Sequence, residues 1–132
     1  MGWRRIRVGL ACAAALAWLV ARRFGRVAVT GSSMAPALLP GDRLLLVRTR
    51  RLRPGDLAVV RDPRQPRRPV VKRVAAVGAD GAVDVRGDNA AASTDSRTWG
   101  PVPPDLVVGR VRSRYFPPAR SGRVAGEALP RS

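Results

Sequence analysis

The chain has 132 residues, which is enough for one compact domain with a short appendage but not for two separate cores. Its 25 basic and 9 acidic residues give a net charge of +16, yet the arginines are scattered and form no basic helix or aromatic platform, so we expect no nucleic-acid partner. With no histidine and one cysteine, Cys12, the chain excludes histidine-dependent nucleophilic catalysis, an intrachain disulfide and a zinc site with cysteine or histidine ligands. We therefore expect no metal and no cofactor.

Residues 1–28 are predicted to form an N-terminal apolar helix and membrane anchor. The uninterrupted apolar run Val8–Ala21 is flanked by arginines on both sides. As a helix it spans about 21 Å, less than the ~30 Å hydrocarbon core, which is typical of a signal-peptide segment or an interfacial helix. Arginines and tryptophans at its ends leave a short single-pass span open. We expect the rest of the chain on the extracytoplasmic side, although equal arginine counts do not fix the orientation.

From residue 29 onwards the sequence changes to short β-type runs separated by Gly, Pro and Asp. Residues 29–118 are predicted to form a mostly β domain, a small antiparallel sheet or barrel-like structure. A polar, proline-broken loop is expected at Asp62–Pro69, and residues 119–132 are expected to form a flexible basic tail. The predicted strands are Val27–Thr30, Arg43–Arg48, Leu57–Arg61, Val70–Val77, Ala82–Arg86 and Leu106–Arg114.

The segment Thr30–Pro40 places a serine, Ser33, in an exposed turn at the end of a strand. Such a turn leaves the hydroxyl and the backbone N–H of the serine accessible, and Pro36 fixes the path by which the chain leaves it. The alternative is an ordinary strand-ending turn in which the serines cap the next segment.

Lys72 is the only lysine among the 25 basic residues. Alternation along a strand places it on one face with Val70 and Val74, so the amine is directed towards apolar surroundings. Burial lowers the pKa of a lysine from its reference of ~10.4, whereas a guanidinium effectively never loses its proton. The alternative is a stem on apolar surface with its ammonium in water. Because the chain has no histidine, Lys72 is the plausible nitrogen base for a serine nucleophile.

A third polar cluster lies in the stretch Gly87–Val102. Either Asp88 or Asp95 is expected to pair with Arg97 and stiffen the loop. A hydroxyl in this loop beside the lysine amine would orient the lone pair of the amine. The hydrogen-bonding residues concerned are Asp88, Asn89, Ser93, Asp95, Ser96 and Arg97.

Taken in order, the motifs resemble those of the type I signal peptidases, also called leader peptidases, over residues 29–118. The motifs are Ser33-Met34-Ala35-Pro36, Gly41-Asp42, Pro54-Gly55-Asp56, Lys72-Arg73 and Gly87–Arg97. The resemblance implies a β-rich catalytic domain on a membrane anchor. The implied activity is that of a serine endopeptidase with a Ser/Lys dyad, which removes N-terminal signal or pro-peptides after small residues.

The resemblance also implies roles for individual residues. Ser33 would be the nucleophile, with its backbone N–H stabilising the oxyanion, Lys72 the general base, and Ser93 the residue that orients the lysine. The precursor polypeptide would bind as an extended strand. Structural support near the site would come from Met34, Pro36, Asp88, Asn89, Asp95 and Arg97.

Two features depart from many bacterial members of that family. Gly31 stands where they have a serine that helps to stabilise the oxyanion, which leaves Thr30 or Ser32 as alternative donors. The 15 positions between Lys72 and Gly87 leave no room for their large insertion. The short form is similar to mitochondrial inner-membrane proteases and to proteases that mature nickel superoxide dismutase.

Three alternatives to general signal-peptide removal remain at this point. The protein is a dedicated precursor-maturation protease, a self-cleaving repressor-type protease, or a non-catalytic basic membrane-tethered adaptor. The repressor-type proteases lack the Gly87–Arg97 pattern and usually follow a DNA-binding helix-turn-helix, for which the preceding apolar segment is too short.

Overall fold

The computed structural model describes residues 2–124. Within them, one long helix precedes a β domain that also contains a single-turn helix and three short 3₁₀ turns. The helices and strands are α1 (Gly2–Ala21), β1 (Phe24–Ala28), β2 (Arg43–Val47), β3 (Leu57–Asp62), β4 (Gln65–Val77), β5 (Val83–Arg86), α2 (Ser96–Trp99), β6 (Val107–Phe116) and β7 (Gly122–Arg123).

All the strands belong to one antiparallel sheet. Their order is β1-β2-β6-β3-β4-β5, and β7 pairs with β6 outside this path. Strands β1 and β5 end the path without pairing to each other in the described part of the chain. The predicted mostly β, antiparallel fold is therefore confirmed, and the sheet is open rather than closed into a barrel.

The segment expected to be a loop at Asp62–Pro69 is instead the end of a β-hairpin between β3 and β4. Asp62 Oδ1 accepts a hydrogen bond from the Arg64 N–H at 2.9 Å, which closes the turn. The register shifts between Arg61 and Asp62, and such a bulge accommodates a proline that would interrupt a regular ladder. The arginines and prolines of this segment are thus compatible with an exposed hairpin.

At the N-terminus, α1 ends at Ala21, and β1 already pairs with β2 from Phe24, so the sheet begins before residue 29. No side chain of α1 is buried against the sheet. No helix in residues 2–124 combines the length and the apolar character needed to cross a membrane. The single-pass span expected from residues 1–28 is therefore not supported.

At the other end, the first part of the expected flexible tail is folded. Residues Pro118–Arg120 form a 3₁₀ turn, and β7 then pairs with Ser113 and Arg114 of β6. Residues 125–132 of the expected tail lie outside the described residues. The domain divisions at residues 28 and 118 remain predictions.

Two hydrophobic clusters form the core, and β3 contributes to both. Leu57 and Val59 belong to one cluster, whereas Ala58 and Val60 belong to the other. Side chains of a strand alternate between the two faces of a sheet, so a strand covered on both faces has an uninterrupted apolar sequence. The first cluster also contains Met34, which anchors the turn that carries Ser33.

A buried carboxylate, Asp42, connects this turn to the C-terminal part of the domain. It accepts a hydrogen bond from the Leu39 N–H at 2.9 Å and is only 1% exposed. Arg114 Nη1 and both terminal nitrogens of Arg120 donate to the same carboxylate at 3.0 Å. The Gly-Asp turn at residues 41–42 is therefore fixed by charge as well as by backbone geometry.

We expect Asp42→Asn to lower the free energy of unfolding by about 2–3 kcal/mol. The amide keeps the shape of the carboxylate but leaves two arginines without their counter-charge. Urea denaturation monitored by circular dichroism measures the change, with Asp105→Asn, at an exposed position, as the matched control within about 0.5 kcal/mol of wild type. Equal destabilisation by the two substitutions would contradict the role of Asp42.

Candidate active site

A cleft of about 170 Å³ brings together three segments that are distant in sequence. One wall is the end of β1 and the turn that follows it, residues 28–34. The opposite wall is the β3–β4 hairpin and the adjoining part of β4 as far as Lys72, and Ala92 and Thr94 complete the lining. Ser33 and Lys72 therefore line one cleft.

The turn that carries Ser33 is held from two directions. On its inner side, Met34 is 1% exposed and belongs to the core. On its other side, the Asn89 N–H donates to the carbonyl oxygen of Ser33 at 2.8 Å, and Asn89 Nδ2 donates to that of Ser32 at 3.1 Å. Within residues 2–124 the N–H and the hydroxyl of Ser33 form no hydrogen bond. Both groups are thus available to a ligand.

Lys72 is 4% exposed, as its position in the strand predicts. It lies opposite Ala58 of β3, and its Nζ donates to Ser93 Oγ at 3.0 Å. Burial lowers the pKa of the amine from its ordinary value of 10.5, and attraction to Asp95 and then Asp62 offsets part of this effect. No hydrogen bond joins Lys72 Nζ to Ser33 Oγ in the described chain, so their relation is a shared cleft.

Behind Ser93 lies an ion pair that controls the direction of its hydroxyl. Ser93 Oγ donates to Asp95 Oδ2 at 2.6 Å, and Arg97 Nη2 donates to the same oxygen at 2.7 Å. The hydrogen bonds from Arg97, and after them those from Ser93 and the Gly87 N–H, outweigh burial and hold the pKa of Asp95 well below its usual range. An ionised carboxylate only accepts hydrogen bonds, so the Ser93 proton points to Asp95 and the Ser93 oxygen accepts from Lys72.

Gly87 is required where the three segments meet. Its N–H donates to Asp95 Oδ2 at 2.9 Å. A Cβ at this position would collide with Ser93 Oγ and would lie 2.7 Å from the carbonyl oxygen of Ser33. Any larger residue would therefore separate the Ser33 turn from the loop that contacts Lys72.

The two alternatives for the Asp/Arg pair are now distinguished. Asp95 pairs with Arg97, whereas Asp88 accepts two hydrogen bonds from Arg73 at 2.8 and 2.9 Å. Arg73 also donates to the carbonyl oxygen of Gly55 at 2.9 Å. The loop is thus tied to β4 at two consecutive residues, Lys72 and Arg73.

The remaining candidates are distributed unevenly around the cleft. Thr30, Gly31 and Ser32 line it, whereas Pro36 lies outside the lining, in an exposed position. Sequence analysis missed Gly87 and Asp42 as individual residues, although both lie in motifs that it quoted. A Gly-Asp pair indicates first of all a turn, and only the fold shows which side chains press against it.

Comparison with known proteins agrees with this geometry. The family model described as "Signal peptidase, peptidase S26" matches residues 3–84 and 79–116, which include every candidate site residue. The chain belongs to the peptidase S26 family. The resemblance that its motifs indicated is thereby confirmed.

Relatives of this S26 chain include subunits of mitochondrial proteases. It is 37% identical over 120 residues to mitochondrial ATP-independent inner membrane protease subunit 1a of Arabidopsis thaliana, with 71% of each chain covered. It is 32% identical over 125 residues to mitochondrial inner membrane protease subunit 2 of Schizosaccharomyces pombe, with 76% of this chain and 69% of that one covered. Subunit 1 of the Homo sapiens protease is 28% identical over 116 residues, with 70% of each chain covered.

We expect Asp95→Asn to destabilise the S26 domain by about 2–3 kcal/mol at pH 7, because Arg97 and Ser93 lose their ionised acceptor. The folded-state pKa of Asp95 is depressed, so its contribution is complete above the unfolded value of 3.8 and is lost as pH falls towards the folded value. Urea denaturation of both proteins at pH 7, 5 and 3 measures this difference. A difference that stays constant from pH 7 to 3 would contradict it.

Proposed function

We propose that this S26 chain is a serine endopeptidase that removes N-terminal signal or pro-peptides after small residues, with Ser33 as nucleophile and Lys72 as general base. The observation that carries the proposal is a buried amine, bonded to a directed hydroxyl, in the same cleft as a serine whose hydroxyl has no hydrogen-bond partner within residues 2–124. A serine hydroxyl is a weak nucleophile until an adjacent base takes its proton. Neutral Lys72 is the base that the cleft offers.

In the first half of the reaction, Lys72 Nζ accepts the proton of Ser33 Oγ as the oxygen attacks the scissile carbonyl carbon. The carbonyl oxygen becomes an oxyanion and accepts a hydrogen bond from the Ser33 N–H. The protonated amine then gives its proton to the leaving nitrogen, and the peptide bond breaks. The product is an acyl-enzyme on Ser33 and a released polypeptide with a new N-terminus.

In the second half, a water molecule attacks the acyl-enzyme. Neutral Lys72 takes a proton from the water, the ester bond to Ser33 breaks, and the proton returns to the serine oxygen. The same amine thus serves as base and acid in both halves, which requires a pKa near the working pH. Burial moves the pKa of Lys72 in that direction.

The surrounding residues position this pair and do not touch the substrate. Ser93 accepts one N–H of Lys72, so the lone pair of the neutral amine points away from Ser93. Asp95 and Arg97 keep the Ser93 hydroxyl in that direction, while Asn89 holds the Ser33 turn. Met34 and Asp88 brace the same turn and loop, and Pro36 is assigned to shaping the exit of the turn.

The precursor is proposed to bind as an extended strand. Strand β1 is the end of the sheet, and residues 28–32 that continue it line the cleft, so a peptide can add its backbone hydrogen bonds to this edge. Val29 and Val71 provide apolar walls in a cleft of about 170 Å³. Such a space favours small side chains beside the scissile bond.

Membrane association is part of the proposal. The relatives are named as inner membrane proteases, and α1 exposes its apolar side chains over its whole length. A helix of this kind, with arginines at both ends, suits attachment at a membrane interface. Placement of the catalytic domain on the extracytoplasmic side stays a prediction.

We expect Ser33→Ala and Lys72→Arg each to lower kcat by at least about 1,000-fold on a precursor that carries Ala-x-Ala before the cut. Arginine keeps the positive charge but cannot accept the proton. Cleavage is followed by mass spectrometry, and circular dichroism checks that both variants are folded. Wild-type turnover by the Lys72→Arg variant would refute the role of the lysine.

The pH dependence of the wild-type enzyme follows from the same assignment. We expect kcat/KM to rise with pH as Lys72 loses its proton, with a midpoint below 10.5, because burial lowers the pKa of the amine. The measurement is kcat/KM between pH 5 and 10 at constant ionic strength. A rate that does not change over this range would exclude an amine base.

Gly31 offers a test of the oxyanion site. A Cβ added at this position would meet no atom within 4 Å, and the backbone φ is not positive, so a side chain fits without strain. We expect Gly31→Ser to raise kcat, by up to about 100-fold, because the added hydroxyl supplies a second oxyanion donor. Gly31→Ala is the matched control, which adds the Cβ without the hydroxyl; an equal effect of the two would exclude this explanation.

A further inference from the structure

The cleft that contains Ser33 and Lys72 has a charged end, formed by Asp62, Arg64 and Arg68. Asp62 is buried, and Arg64 Nη2 donates to its Oδ2 at 2.9 Å while Arg64 Nε donates to its Oδ1 at 3.2 Å. This pair is neutralised internally. Arg68 is exposed and forms no hydrogen bond, ion pair or ring contact within residues 2–124. The cleft therefore presents one guanidinium without a counter-ion in contact.

The charge of Arg68 acts on the interior of the cleft. Burial is the main cause that lowers the pKa of Lys72, and the hydrogen bond from Arg64 is the main cause for Asp62, but the charge of Arg68 adds to both effects. Its guanidinium must therefore lie on their side of the strand. Arg68 precedes Lys72 by four positions on β4. At ~3.3 Å per residue, the two positions are about 13 Å apart along the strand.

We propose that Arg68 selects precursors that carry an aspartate or glutamate about four residues from the scissile bond. The proposal rests on the proposed function. An extended peptide alongside β4 advances by the same distance per residue as the strand, so its fourth side chain from the cut reaches Arg68. Guanidinium and carboxylate groups form paired, charge-assisted hydrogen bonds. A basic residue at that point would meet Arg68 and Arg64 together.

The neighbouring residue Arg67 provides a matched control. It does not line the cleft; it lines a separate groove with Arg26, Arg48 and Arg61. Arg67→Glu and Arg68→Glu change the net charge of the protein by the same amount. Only the second changes the charge inside the cleft, so a comparison of the two separates local selection from general attraction to a basic protein.

The test uses the full-length chain and peptides with small residues before the cut. Glu, Gln or Lys is placed at each position from the third to the sixth on either side of the scissile bond. We expect one position at which the Glu peptide has a kcat/KM about tenfold above that of the Lys peptide, mainly through KM. The ratio should fall towards one at about 0.5 M salt.

The variants then locate the effect. Arg68→Glu should invert the Glu/Lys ratio, Arg68→Lys should keep its direction, and Arg67→Glu should leave it unchanged. The ratio is used because a charge change at residue 68 also alters the pKa of Lys72, and that effect is common to all peptides. Cleavage with a ratio near one at every position, or equal effects of the two reversals, would overturn the proposal while leaving the proposed function intact.

A different result would reach the function itself. If the wild-type chain cleaved none of the peptides, and wild-type and Ser33→Ala chains processed a full precursor equally, both the protease activity and the selection by Arg68 would be refuted. The two failures are therefore distinguishable, since only the second removes cleavage altogether.

Discussion

The withdrawal of the Lys72 amine from water is the constraint on which the rest of the site depends. Burial opposes the charged form, so the fold must supply a hydrogen-bond partner that does not restore that form. Ser93 meets this need, because a neutral hydroxyl orients the amine without a charge in contact with it. Asp95 lies one residue further away and is paired with Arg97, whose own charge also disfavours a proton on the lysine. A carboxylate bonded directly to Lys72 would have raised its pKa and kept it from acting as a base.

The same loop sets the position of both proposed reactive groups. Asn89 bonds to the backbone of the Ser33 turn, and Ser93 bonds to Lys72, so the separation of serine and lysine depends on the geometry of residues 87–97. Gly87 allows this loop to approach both sides closely, and the Arg73–Asp88 pair ties its start to β4. The rigidity of the site therefore comes from a loop that is fixed by ion pairs at two points. This arrangement holds the groups on rigid elements without placing them on one strand.

The strands and the burial of Lys72 could be predicted from the sequence, because apolar runs and strand alternation are local properties. The hairpin at Asp62–Pro69 could not, since its prolines and arginines suggest a loop, and the bulge that accommodates them depends on pairing with β3. The partner of Arg97 was also undetermined, because Asp88 and Asp95 are both close to it in sequence. Asp88 is removed by Arg73, which belongs to the neighbouring strand and is brought there by the fold. The motifs identified the family, but not that Gly87 and Asp42 each contact several segments at once.

The large positive charge has a structural explanation in the pairing of the carboxylates. Five aspartates of the described chain, Asp42, Asp62, Asp84, Asp88 and Asp95, form ion pairs, and every partner is an arginine. Arginine suits these positions because its guanidinium offers two parallel donors and remains charged when half-buried. Lysine occurs once, at the buried position where loss of a proton is useful. The division between the two basic residues therefore follows what each position requires, permanent charge for the ion pairs and a removable proton in the cleft.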